Sequence, residues 1–137
     1  MDGILLFNKP ILWTSHDAVD FIRRQTGQRR VGHAGTLDPM ATGLLVILVG
    51  AATKLSGELS GLEKEYGGSM RLGISTDTQD MEGRITTEAP FDEIKREEVS
   101  KIFREMTGLH FQTPPAFSAI QQGGKRLYDL ARQGVAV

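Results

Sequence analysis

One stretch of the chain gathers groups that can do chemistry. Gly32-His33-Ala34-Gly35-Thr36-Leu37-Asp38-Pro39-Met40-Ala41-Thr42-Gly43 holds a carboxylate, an imidazole and two hydroxyls among three glycines and a proline. It shows no helical or strand period, so it reads as a loop, and it runs into six consecutive apolar residues at 44–49. A loop pinned to a rigid strand is where proteins commonly hold catalytic side chains. As bare pattern, Asp38-Pro39 is also an ordinary turn starter, and Thr36 or Thr42 could simply cap a turn. No lysine follows a glycine at the G-x-x-x-x-G-K-[ST] spacing and no G-x-G-x-x-G occurs, so the loop is not a phosphate cradle of either kind. His16, His33 and His110 lie far apart without zinc-ligand spacing. Ser15, His33 and Asp38 could be drawn as a triad, but G-x-S-x-G is absent. Asp77, Asp80 and Glu82 resemble a calcium loop, yet Gly83 is misplaced and the bidentate glutamate is missing, which leaves a solvated acidic turn.

Charge is segregated around that loop. Residues 21–37 carry Arg23, Arg24, Arg29 and Arg30 with no acid. Residues 77–98 hold eight acids against Arg84, Lys95 and Arg96, and from Phe117 onward Lys125, Arg126 and Arg132 outnumber Asp129. A polyanion would be steered to the first and last segments and away from the middle one, although such charges can equally be solvated faces. Arg29, Arg30, Lys64, Lys125 and Arg126 are the candidates for phosphate contacts.

The elements that must position these groups follow from period and punctuation. Residues 3–7 read as a buried strand stopped at Asn8-Lys9-Pro10. Ser15 is the expected N-cap of a helix over 16–26, with Ala18, Val19 and Ile22 as its buried stripe and Gly27 beyond its end. Residues 44–49 form a fully buried strand and 51–59 a short helix. Strands are expected at 65–72 and 84–88 around an acidic turn. Val99, Ile102, Phe103 and Met106 fall at i, i+3, i+4, i+7 and predict a helix over 95–107 before Gly108. A strand at 118–122, a turn at Gly123-Gly124, a helix at 127–133 and the opening of a strand at 135–137 complete the reading. Strands come singly and in pairs among helices, which predicts an α+β fold with a mixed, largely antiparallel sheet.

Composition bounds the class. The chain has 137 residues, a net charge of -1 and no cysteine, which excludes disulfide scaffolds, thiolate metal sites and cysteine nucleophiles. The zero fits a reducing cytoplasm. No apolar run reaches the roughly 18 residues of a membrane span, and the first residues lack a signal-peptide profile, so a soluble cytoplasmic protein without a membrane partner is expected. Glycine is the outlier, 16 residues where about 7% is usual, so backbone must turn sharply or be closely approached at many positions.

The loop Gly32-His33-Ala34-Gly35-Thr36-Leu37-Asp38-Pro39-Met40-Ala41-Thr42-Gly43-Leu44-Leu45 resembles the G-H-x-G-x-L-D-P-x-A-[TS]-G-x-L signature of TruB-type tRNA pseudouridine synthases. Four further blocks resemble that family in the right order. They are Asn8-Lys9-Pro10 with Thr14-Ser15, Lys64-Glu65-Tyr66, Leu72-Gly73 through Thr76-Asp77-Thr78, Asp80 and Gly83, and Gln112-Thr113-Pro114-Pro115-Ala116-Phe117-Ser118-Ala119 with Gly124-Lys125-Arg126-Leu127-Tyr128 and Ala131-Arg132. The resemblance implies an isomerase that converts uridine 55 in the T arm of tRNA to pseudouridine without cofactor or metal. It assigns Asp38 as the catalytic carboxylate, Tyr66 as the aromatic under the flipped base and His33 as a contact to that base or its loop. Asp38 could act as a nucleophile on the sugar C1′, as a nucleophile on C6 of the ring, or as a base on a ribose proton.

Some positions depart from the family pattern: Leu12 where it usually has glycine, Asn8 where it has aspartate, Gln121 where it has lysine, and the strand-weakening pair Gly67-Gly68. Family members continue past this length with a block supplying an arginine partner for the aspartate. Residues 1–137 are therefore expected to be part of a catalytic domain, weak or inactive alone and completed by a further segment or second chain. The alternative function is a non-catalytic module that grips an RNA hairpin.

Overall fold

The computed structural model describes residues 1–111 and 121–126. The chain divides into two compact units, Met1–Gly67 and Gly68–Val137. The described residues form an α+β fold whose three sheets are all antiparallel; no parallel ladder occurs among them.

In the first unit, strand β1 (Gly3–Lys9) leads into helix α1 (Ser15–Thr26), then β2 (Val31–Ala34), β3 (Gly43–Val49), a 3-10 turn (Gly50–Leu55) and the short helix α2 (Ser56–Ser60). The sheet order is β1-β3-β2, with Phe7 opposite Leu45, Lys9 opposite Gly43 and Val31 opposite Val49. On one face, Ala18, Val19 and Ile22 of α1 pack on Leu45, Ile47, Val49 and Val31, with Phe7, Trp13, Phe21 and Leu37 at the margin. Phe7, Trp13 and Phe21 form an aromatic cluster with ring centroids 5.6–6.3 Å apart. On the other face, Leu48 is fully buried and Ala34 nearly so. The expected full burial of residues 44–49 holds only for Leu45, Ile47, Leu48 and Val49: Leu44 is 63% exposed and Val46 half-buried, because the second face of the sheet is covered only toward the Val49 end.

The helix over 16–26 is confirmed, but its cap is Thr14. The Thr14 hydroxyl accepts from the Asp17 N–H at 3.1 Å and the Asp17 carboxylate accepts from the Thr14 N–H at 2.7 Å. That reciprocal box satisfies two otherwise orphaned donors and leaves Ser15 free for another task. Gly27 ends the helix at φ 65°, the left-handed position that favours glycine.

Further expectations need correction. Residues 3–7, expected as a buried strand, do form β1, but residues 3–6 are exposed and Phe7 is half-buried, because among the described residues β1 is paired on one side only. Residues 31–34, expected within a loop, form β2, because pairing with β3 compensates for a glycine and a missing period. Residues 65–72, expected as a strand, are irregular and exposed except for Leu72, consistent with two successive glycines and no paired neighbour.

In the second unit, β4 (Ile74–Thr76) and β5 (Ile85–Glu88) form a hairpin around the acidic turn, where the Asp77 carboxylate accepts from the Arg84 N–H at 2.8 Å. Helix α3 (Arg96–Glu105) follows, shorter than expected by one residue at the start and two at the end, with Ile102, Phe103 and Met106 exposed. β6 (Gln121–Gln122) and β7 (Lys125–Arg126) make a second hairpin. The expected helix at 127–133 and strand at 135–137 lie outside the described residues, as does most of the strand expected at 118–122. No described helix is long and apolar enough to cross a membrane.

Candidate active site

The loop between β2 and β3 is held from both sides of Asp38. On its N-terminal side, the Ser15 hydroxyl accepts from the Leu37 N–H at 3.0 Å and donates to the Leu37 carbonyl at 3.2 Å. On its C-terminal side, the Pro39 carbonyl accepts from the Leu12 N–H at 2.7 Å and from the Lys9 ammonium at 3.3 Å. The Ala41 N–H donates to the Asp38 carbonyl at 3.0 Å and closes the turn. Both neighbours of Asp38 are thus anchored to the segment joining β1 to α1, while the Asp38 side chain is exposed and has no hydrogen bond or ion pair among the described residues.

Lys9 is the unexpected member. It is fully buried, and its ammonium also donates to the carbonyls of Trp13 at 2.6 Å and Pro10 at 3.0 Å. A buried ammonium is tolerable only when its three donors are met, and here three backbone carbonyls meet them. Lysine before proline has the pattern of a strand end; nothing local announces a buried anchor. Ser15, expected as a cap, is instead the clamp on Leu37.

Leu12 adopts φ 68°, a conformation L-residues other than glycine seldom occupy. The backbone there must turn so that its N–H reaches Pro39. This is the position where the family pattern has glycine.

His33 lies within β2, half-buried, with its Nδ1 donating to the Gly35 carbonyl, which orients the ring; its Nε2 has no partner among the described residues. The Ser56 hydroxyl donates to the His33 carbonyl at 3.1 Å, tying α2 to the strand. Lys64 extends beside the same loop: a Cβ built on Gly35 would lie 3.6 Å from its Cε, while its ammonium donates to the carbonyls of Ser60 and Leu62. Arg29 and Arg30 are exposed, and the Arg30 Nε donates to the hydroxyl of Thr53, which precedes exposed Lys54 in sequence, at 2.8 Å. Tyr66 is 69% exposed on the irregular segment and stacks on no described aromatic ring. Asp38, His33, Lys64, Arg29, Arg30 and Tyr66 therefore all belong to the first unit, whereas Lys125 and Arg126 sit on β7 in the second.

What this arrangement can do is present one carboxylate, on rigid backbone, to a group arriving from solvent. Among the described residues no three His, Asp or Glu side chains gather as a metal site.

Comparison with known proteins agrees with the loop. Residues 23–137 match the family described as TruB family pseudouridylate synthase, N-terminal domain. The chain is 50% identical to tRNA pseudouridine synthase B of Thermobifida fusca, over 99% of this chain and 46% of that protein. It is 46% identical to the proteins of the same name from Opitutus terrae, over 98% of this chain and 56% of that one, and from Geobacillus kaustophilus, over 100% and 48%. The chain spans about half the length of these relatives.

Proposed function

Because the chain belongs to the TruB family of pseudouridylate synthases, we propose that it carries the catalytic carboxylate of an enzyme that isomerises uridine 55 in the T arm of tRNA to pseudouridine. The observation that supports this reading most directly is the exposed Asp38 on backbone anchored at Leu37 and Pro39. Among the described residues no group engages that carboxylate, which leaves it available to a substrate.

Substrate and product contain the same atoms, so the reaction needs no net redox step and no co-reactant. The base is detached at N1, turned and rejoined through C5. A target uridine stacked within a hairpin loop has to be extruded first, at a cost of a few kcal/mol that protein contacts replace. Asp38 is the group assigned to the reacting nucleotide, acting on C1′, on C6 or as a base at the ribose. Tyr66 is assigned to stacking under the extruded base, and His33 to contacting that base or its loop. Arg29, Arg30 and Lys64, with Lys125 and Arg126 from the second unit, are assigned to phosphates.

The test is base-resolved mapping of pseudouridine on a T-arm stem-loop. The chain is used alone and supplemented with the second half of one of the curated relatives, in the original and Asp38→Asn forms. The enzyme reading expects conversion by the supplemented original chain, none by Asp38→Asn, and equal hairpin binding by both. Conversion that survives Asp38→Asn refutes the assignment. Binding by both forms with no conversion in any mixture favours a hairpin-binding module instead.

A further inference from the structure

Ile11 and Leu12 are the central pair of the turn that joins β1 to α1, and they are 58% and 77% exposed. Leu12 sits there at φ 68°, a conformation that glycine or asparagine usually fills in a turn. The turn does its structural work through backbone alone, the Leu12 N–H reaching the Pro39 carbonyl at 2.7 Å. Glycine would supply the same N–H without strain, so the fold does not account for a leucine that is both strained and unburied. The next residue behaves differently: Trp13 turns inward, its ring centroid 6.3 Å from that of Phe7 and 5.6 Å from that of Phe21. Strained backbone clusters at active sites and ligand clamps, where the surrounding structure holds it for a function.

The Leu12 backbone is fixed relative to Asp38. It bonds to the residue that follows Asp38, whose carbonyl also takes the buried Lys9 ammonium at 3.3 Å. The same ammonium holds the carbonyls of Pro10 and Trp13, at 3.0 and 2.6 Å, on either side of Ile11 and Leu12. A rigidly mounted apolar side chain thus stands in solvent one hydrogen bond away from the loop that presents the carboxylate.

Its chemistry limits what it can take. A leucine side chain neither donates nor accepts, so it cannot grip a phosphate or read a base edge; it can cover an apolar face and exclude water from it. An RNA loop exposes such faces where a base has lost its stacking neighbour, and extruding one nucleotide creates them on both sides of the gap. Leucine and isoleucine are among the side chains that proteins insert between base steps.

We propose that Leu12 is the wedge of this site. As the target uridine moves out towards Asp38, the leucine packs against the bared face of a neighbouring loop base and keeps the gap open. The proposal rests on the hairpin substrate proposed for Asp38, and adds a residue that touches RNA without taking part in the chemistry.

Equilibrium binding of T-arm stem-loops to the chain, supplemented with the second half of a curated relative, tests it. Leu12→Gly and Leu12→Met are compared with the original on the intact hairpin and on two others, each with an abasic site on one side of the target. Losing one base-covering contact is expected to weaken intact-hairpin binding about tenfold in Leu12→Gly, and Leu12→Met is expected to regain most of it. On one of the abasic hairpins the original and Leu12→Gly should differ by less than about twofold, because the face that leucine covers is gone. A urea midpoint that rises in Leu12→Gly separates the loss from unfolding. Equal binding of the intact hairpin by the original and Leu12→Gly overturns the wedge. So does a loss that stays undiminished on both abasic hairpins, or a urea midpoint that falls on substitution. Those three outcomes leave the assignment of Asp38 standing, because it is read from conversion; a supplemented original chain that binds no hairpin overturns both.

Discussion

The ammonium of Lys9 lies 3.3 Å from the carbonyl oxygen of Pro39, the residue that follows Asp38, across thirty positions of sequence. One buried cation thus joins the end of β1 to the loop that presents the carboxylate.

Lys9→Met keeps the volume and removes the donors, leaving the carbonyls of Pro10, Trp13 and Pro39 short of a partner. The expected loss of stability is about 2–4 kcal/mol. Trp13 is the single tryptophan and its carbonyl is one of the three, so urea unfolding followed by its fluorescence reports the change. A loss under about 0.5 kcal/mol would show that Lys9 anchors nothing.

Ser15→Ala removes the hydroxyl that both donates to and accepts from Leu37. The Leu37 N–H then lacks its partner, and stability is expected to fall by about 1–3 kcal/mol. Exchange of the Leu37 amide should accelerate while the Ile47 amide keeps its protection. Equal acceleration at both would mean that the serine supports the whole unit and not the loop.

Leu12→Gly should stabilise the chain. The left-handed φ costs a leucine about 1–2 kcal/mol, and the side chain is 77% exposed, so little burial is given up. Glycine's greater freedom when unfolded returns about 0.5–1 kcal/mol of that gain. The urea midpoint is expected to rise modestly for Leu12→Gly and to fall for Leu12→Val, whose branched side chain suits this φ less well.

Acid should weaken the cap of α1. Hydrogen bonds from the Thr14 hydroxyl and N–H hold the Asp17 carboxyl below its ordinary value of 3.8. A carboxylate depressed in the folded state stabilises it above the unfolded pKa, and the contribution is lost as pH falls through the folded pKa. Thr14→Ala should therefore lower the melting temperature at pH 7, and the gap to the original chain should narrow as pH drops below about 4. A gap of constant size would place the effect of Thr14 elsewhere.

Arg29→Ala should reduce the dependence of hairpin-RNA binding on salt. Removing one cation from a phosphate lowers the slope of log affinity against log salt by about 0.7–0.9. Arg30→Ala should do the same and also free the Thr53 hydroxyl. An unchanged slope in both would remove this face from the RNA footprint.

Much of this molecule is written locally. The helix carrying Ala18, Val19 and Ile22, the apolar strand ending at Val49 and the glycine that stops α1 are each specified by neighbours a few residues apart, so period and punctuation predict them. The Asp38 loop is legible too, because a carboxylate between glycines, followed by a buried strand, is a pattern carried in consecutive residues. What sequence could not decide was how distant groups satisfy one another. β2 exists because β3 pairs with it; residues 65–72 are irregular because no neighbour pairs with them; Lys9 is buried because three carbonyls converge on its ammonium. Hydrogen-bond partners and burial are properties of the folded neighbourhood, so they emerge only when the chain is closed on itself.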